Sequence, residues 1–159
     1  MNINVVCIGK LKEKYWTDAI AEYSKRLGRY CRLDIIELKE ERLPENASPA
    51  DEENVKNAEG RSILKALSAD SYIIALDVAG KQLSSEQLAK KLDGLAVDGQ
   101  STIDLIIGGS LGLSEEVRSR ADFRLSFSPM TFPHQMMRVI LLEQIYRSFK
   151  IIRREPYHK

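Results

Sequence analysis

Four short apolar runs rich in β-branched residues punctuate the first two thirds of the chain: Ile3 to Ile8 (INVVCI), Leu33 to Leu38 (LDIIEL), Tyr72 to Leu76 (YIIAL) and Ile103 to Ile107 (IDLII). Runs that are apolar at nearly every position have no solvent-facing side, so as strands they must be covered on both faces. The stretches between them are long enough to carry a helix. A crossover of that kind returns the chain to the same end of the sheet and makes neighbouring strands parallel. The expected architecture is α/β, a mainly parallel sheet with helices on both faces. A fifth strand is expected from Ala121 to Leu125.

The intervening segments read as helices. From Lys14 to Tyr30, Trp16, Ile20, Tyr23, Leu27 and Tyr30 recur at steps of four and three, one face of an amphipathic helix in which Gly28 weakens only the last turn. The polar run after Leu38, with Pro44 and Pro49, is expected as a surface loop or mobile segment. A helix should then run from about Ala50 or Asp51 through Leu67, its acidic start matched to the helix dipole. Asp77 to Lys81 reads as a turn. Ser84 and Gln87 form a capping box for a helix ending near Leu92 or Leu95. Ser114 caps a further short helix, and Glu115 and Glu116 are explained by its first turn rather than by acid–base chemistry. A chain of 159 residues needs no second core, so residues 1–159 are expected to form one domain.

The formal net charge of +1 excludes a uniformly basic nucleic-acid binder, but the charges are segregated. Lys10, Lys12, Lys14, Lys25, Arg26, Arg29 and Arg32 cluster on or beside the first helix, either as a solvated face or as a patch for phosphates. Cys7 and Cys31 form no CxxC pattern and have no histidine near them in sequence, and Cys7 falls within the first strand; both read as small buried hydrophobes. The apolar runs fall well short of the roughly 20 residues that span a bilayer. No charged-then-apolar leader is visible. A reduced, cytoplasmic protein with no membrane contact and no metal is expected.

Chemistry concentrates after Ile103. In open parallel sheets ligands bind beyond the carboxyl ends of the strands, which marks Leu76, Asp77 and Gly108. The Gly108-Gly109-Ser110-Leu111-Gly112 turn lets backbone approach a ligand closely, but it fails the dinucleotide fingerprint because Ser110 stands where the second glycine is required. The loop from Ser126 to His134 mixes hydroxyls, aromatics, a methionine and two prolines, a stiff surface suited to a flat heteroaromatic ligand. Pro133 fits the first turn of the helix that follows. That helix, to about Phe149, is apolar nearly all round, so one side should lie on the sheet and another against a partner chain, most simply in a homodimer. The ending Arg153-Arg154-Glu155-Pro156-Tyr157-His158-Lys159 carries cations for phosphate, a ring that stacks on a base and an imidazole that moves a proton.

Taken together, the GGSLG turn, the run from Leu125 to Arg147 (LSFSPMTFPHQMMRVILLEQIYR) and the RREPYHK ending resemble the ribosomal RNA large subunit methyltransferase H family, a minimal member of the SPOUT class, along the whole chain. The resemblance implies a carboxyl-terminal deep trefoil knot. It implies S-adenosylmethionine as cofactor, held by positions matching Leu76, Gly108, Phe127, Ser128, Pro129, Met130, Thr131 and Phe132. It also implies a homodimer that methylates N3 of a pseudouridine in a stem-loop of 23S ribosomal RNA on the assembled ribosome, with the tail of one subunit reaching the cofactor of the other. In that setting Arg153 and Arg154 would position RNA phosphate, Tyr157 would orient the base and His158 would assist removal of the imide proton; Arg154, Tyr157 and His158 are the catalytic candidates. Two rival classes are a non-enzymatic ribosome-binding module and a small-molecule methyltransferase on the same fold.

Overall fold

The computed structural model describes residues Met1–Lys159, and its elements follow in the order β1 (Asn2–Ile8), α1 (Lys14–Leu27), β2 (Arg32–Leu38), α2 (Pro49–Ala66), β3 (Tyr72–Gln82), α3 (Ser85–Val97), β4 (Thr102–Ile107), α4 (Glu115–Arg120), β5 (Phe123–Ser126) and α5 (His134–Ile152). The five strands form one sheet in the order β2-β1-β4-β3-β5, with every neighbouring pair parallel. Alternation along the strands supplies both cores. Ile3, Val5 and Cys7 of β1 face α1, α3 and α5, packing in one cluster with Leu27, Leu92 and Leu142. Val6 and Ile8 face the other way, onto Ile63 of α2 and Val117 of α4. The all-parallel, doubly covered sheet expected from the apolar runs is therefore present.

Several boundaries move, each for a local reason. Helix α1 stops at Leu27 rather than Tyr30: Gly28 still bonds the Ser24 carbonyl at 3.0 Å, but the Leu27 carbonyl then takes the N–H groups of both Tyr30 and Cys31, at 2.8 and 3.0 Å, in a tightened turn. Tyr30 instead follows in a turn and stacks on Phe149 of α5, centroids 5.6 Å apart. Asp77 to Lys81 is not a free turn. Strand β3 continues to Gln82, and its register against β5 jumps from Leu76 to Lys81 while both face Leu125, so residues 77–80 bulge out of the ladder. Gly80 permits this passage: a Cβ there would lie 2.6 Å from the Arg124 carbonyl oxygen. Strand β5 starts at Phe123, two residues later than expected, because Ala121 still caps α4 and the Asp122 carboxylate accepts the Ile73 N–H at 2.8 Å.

Helix α5 differs most from expectation. Its fully buried residues, Arg138, Leu141, Leu142, Ile145, Ser148 and Phe149, follow one face, and α1 and α3 pack on its flanks. That face is the side expected on the sheet, while Met136, Val139 and Ile140 on the opposite side remain partly exposed. Arg138, which apolar patterning does not single out, is 1% exposed. Its Nη2 donates to the carbonyls of Ile8 at 2.7 Å and Gly9 at 2.8 Å, and its Nη1 meets Glu37 at 3.0 Å. One cation thereby ties α5 to the carboxyl ends of β1 and β2.

Cys7 and Cys31 are buried and unpaired, and burial pushes both thiols up to about 11. At pH 8 a thiol-specific chromogenic reagent is expected to label neither promptly in the native protein and both promptly in denaturant. Fast labelling of the native chain would contradict the burial.

Candidate active site

The carboxyl ends of β3, β4 and β5 open onto a cavity of about 650 Å³. Its floor is the turn after β4, from Gly108 to Leu113; one wall is Leu76 to Val78 at the β3 bulge; its cover is the loop after β5 with His134 and Met137 at the start of α5. The floor is shaped by absent side chains. A Cβ on Gly108 would stand 2.9 Å from Leu113 Cδ2 and 3.0 Å from the Gly112 carbonyl carbon. Gly112 has φ +82° and donates its N–H to the Gly109 carbonyl at 3.0 Å, a conformation that costs other residues. The cover holds itself: Ser126 Oγ donates to the Ser128 carbonyl at 3.2 Å, and Ser128 Oγ accepts the Met130 N–H at 3.0 Å.

The lining is mainly apolar, with Asp77 its one acidic side chain and no lysine or arginine. Asp77 accepts the Ala79 N–H at 3.0 Å and lies 3.4 Å from Arg124. Burial, followed by the neighbouring Arg138, holds His134 below the usual imidazole range, with Glu40 opposing. It is therefore neutral at pH 7. Such a cavity suits a ligand with apolar and hydrogen-bonding parts, and its lining contributes no lysine or arginine to a phosphate.

Of the residues marked from sequence, Leu76, Gly108, Phe127, Ser128, Met130, Thr131 and Phe132 line this cavity, while Pro129 belongs to the same loop but not to the lining. His134, the last residue of the loop marked from sequence, also lines it, as do Leu113 and Met137, which sequence reasoning does not mark. Helical spacing of three carries His134 and Met137 to one face of α5, a signal that becomes readable once the helix start is fixed.

The tail lies elsewhere. Arg153, Arg154, Tyr157 and His158 contribute nothing to the lining of their own chain's cavity. After α5 the chain turns at Arg154, φ +55°, and folds back. Glu155 accepts from Tyr30 and Lys150, both at 2.6 Å. Tyr157 donates to Glu143 at 3.2 Å and lies under Arg147, 4.7 Å from the guanidinium carbon to the ring centre. His158 lies between Arg147, 3.2 Å from Nδ1, and Glu86 of α3, 2.7 Å from Nε2. Arg153 and Arg154 are exposed, as are all seven cations of the patch around α1.

Two of the carboxyls that anchor the tail are lowered. Glu86 is brought to about 2, first by its own backbone N–H and then by His158 and Ser84, and Glu155 is lowered first by Lys150 and then by Tyr30. Groups depressed in the folded state stabilise it above their ordinary value of 4.5 and lose that contribution as pH falls. Acidification from pH 5 toward 2 is expected to undock the tail, seen as a change in the Tyr157 ring resonances before the core unfolds. Unchanged resonances at pH 2 would contradict the anchorage.

No helix is long and apolar enough to cross a membrane, and no group of three or more His, Cys, Asp or Glu is placed to hold a metal ion. The family model described as "Predicted SPOUT methyltransferase" matches residues 1–158. Full-length similarity links the chain to proteins called ribosomal RNA large subunit methyltransferase H from Alkaliphilus oremlandii, 61% identical over 159 residues, and from Clostridium beijerinckii, 57% identical over 159 residues; all of each chain is covered. Among solved structures, a probable methylase family protein from Haemophilus influenzae superposes with a TM-score of 0.55 at 15% identity, over 99% of this chain and 70% of that one, a likeness of fold.

Proposed function

The chain belongs to the SPOUT methyltransferase family, and from that membership we propose that it uses S-adenosylmethionine to methylate N3 of a pseudouridine in a 23S rRNA stem-loop on the assembled ribosome. The observation that carries the cofactor assignment is the cavity beyond β3, β4 and β5, with a glycine floor that a Cβ would fill and one carboxylate, Asp77, among apolar walls. Leu76, Gly108 and the loop Phe127, Ser128, Met130, Thr131 and Phe132 would hold the cofactor, with Pro129 stiffening that loop. The cofactor supplies an electrophilic methyl group on a sulfonium.

The remaining work falls to the chain. Reaction needs the ring nitrogen aligned with the methyl group and relieved of its proton. Arg153 and Arg154 position RNA phosphate, Tyr157 orients the base, and His158 takes the imide proton directly or through a water. The tail's remoteness from its own cavity supports a homodimer in which each tail serves the other subunit's cofactor. Residues 1–159 act as one SPOUT domain in the cytoplasm, and the carboxyl-terminal part is threaded as a deep trefoil knot, as the family match implies.

Incubation with labelled S-adenosylmethionine and ribosomes lacking the modification is expected to place label in large-subunit RNA, at one pseudouridine by nuclease digestion and mass spectrometry. No label in that RNA would overturn the reading. Gly108→Ala is expected to weaken S-adenosylmethionine binding about tenfold, equivalent to ~1.4 kcal/mol, by calorimetry. The alanine methyl would meet Leu113 and the Gly112 backbone. Wild-type affinity in this variant would remove Gly108 from the site.

A further inference from the structure

His158 is gripped at both ring nitrogens by residues from two different helices. Glu86 stands in the first turn of α3, and its Oε1 lies 2.7 Å from His158 Nε2. On the other side, Arg147 Nη1 lies 3.2 Å from Nδ1. A guanidinium only donates hydrogen bonds, so Nδ1 must be the acceptor and the ring proton must sit on Nε2, donated to Glu86. The contacts thus select one tautomer and one ring orientation.

Both partners are themselves held. The carboxyl of Glu86 is brought to about 2, chiefly by its own backbone N–H at the start of α3, so it stays ionised throughout the physiological range. Arg147 is bound to Glu143 through Nε at 3.0 Å and Nη2 at 2.7 Å, which leaves Nη1 for the imidazole. No part of this clamp belongs to the cavity lining.

We infer that Glu86 is a positioning residue for His158: by accepting the Nε2 proton it leaves Nδ1 as the ring atom that receives a proton from substrate. The inference rests on the proposed role of His158 in removing the imide proton. In that step the N3–H bond breaks and the proton passes to Nδ1, while the nitrogen's electron pair forms the new bond to the methyl carbon as the carbon–sulfur pair departs with sulfur. Arg147 gives up its contact with Nδ1 and stays on Glu143. The imidazolium that forms is then hydrogen-bonded to the Glu86 carboxylate, the arrangement of a base oriented by a third group.

The test uses the full-length protein, ribosomes lacking the modification, steady-state kinetics and nitrogen NMR of labelled histidine, which distinguishes the two neutral tautomers. Glu86→Ala is expected to lower kcat about tenfold with KM for ribosomes changed less than about twofold, and to shift the Nε2–H resonance of His158, which loses its carboxylate acceptor while Arg147 still holds Nδ1. Glu86→Gln keeps an acceptor oxygen, so it is expected to retain the tautomer and recover to within about threefold of the wild-type rate. A wild-type rate and an unshifted Nε2–H resonance in Glu86→Ala would overturn the inference. So would a loss of rate that follows weakened self-association in sedimentation while the Nε2–H resonance is unchanged. His158→Ala separates the two levels: if it transfers methyl groups at the wild-type rate, the histidine's role falls and Glu86's with it. If it is slow while Glu86→Ala is not, Glu86 alone is wrongly assigned.

Discussion

Arg138→Ala is expected to destabilise the protein by about 3–5 kcal/mol, the cost of truncating a large buried side chain and leaving buried carbonyls without their donor. The loss has three sources. Glu37 loses its cation, the Ile8 and Gly9 carbonyls lose their donor, and a large cavity opens under α5, because Arg138 is among the largest fully buried side chains. Arg138→Lys should rescue little, since one ammonium cannot reproduce a fork that reaches two carbonyls and a carboxylate at once. Urea unfolding is the measurement: at a slope of ~2 kcal/mol/M, a midpoint lower by about 1.5–2.5 M is expected. A shift under about 0.5 M would mean that these contacts do not hold α5 to the sheet. Arg138 Nε has no partner, so the site is already imperfectly satisfied, and an apolar replacement of similar volume such as Arg138→Met should cost less than alanine.

Truncation after Ile152 is expected to reduce methyl transfer to ribosomes by about a hundredfold or more, the scale for losing a general base and its positioning together. The fold should survive, because the tail lines no part of the cavity and supplies no buried core residue; its removal breaks the contacts of Glu155 with Lys150 and Tyr30, of Tyr157 with Glu143 and Arg147, and of His158 with Glu86, all at the edge of the domain. Circular dichroism and the unfolding midpoint are therefore expected to stay near wild type while the rate collapses. Retained methylation at the wild-type rate would remove Arg153, Arg154, Tyr157 and His158 from the chemistry. A truncated protein that loses self-association first, yet methylates normally at high concentration, would show the tail to be a dimer strap.

Much of the cavity is legible in the amino-acid sequence. Gly108 and the Phe127 to Phe132 loop stand out because glycine, proline and hydroxyl residues between apolar runs mark backbone that is not committed to a ladder. Pro129 fails to reach the lining although its neighbours do, since composition marks a loop and not the direction of each side chain. The β3 bulge has no local signature, because its strand character comes from pairing with β5, which lies 47 positions on from Asp77 at Arg124. Arg138 does not stand out in an apolar helix because a single cation there has no meaning until two carbonyls and a carboxylate are brought around it.

Sequence by itself determined the parallel, doubly covered sheet, the cavity loops and the family. Apolar periodicity, glycine and capping residues act over a few positions, where chain geometry alone decides the outcome. Only the tertiary structure decided which helices share a face, what Arg138 neutralises, and where the tail rests. The last of these depends on Glu86 and His158 meeting across 72 positions of sequence, at a distance of 2.7 Å that no local rule fixes. Hydrogen bonds of that kind depend on the packing of α3 against α5, which the sequence specifies only through the whole core.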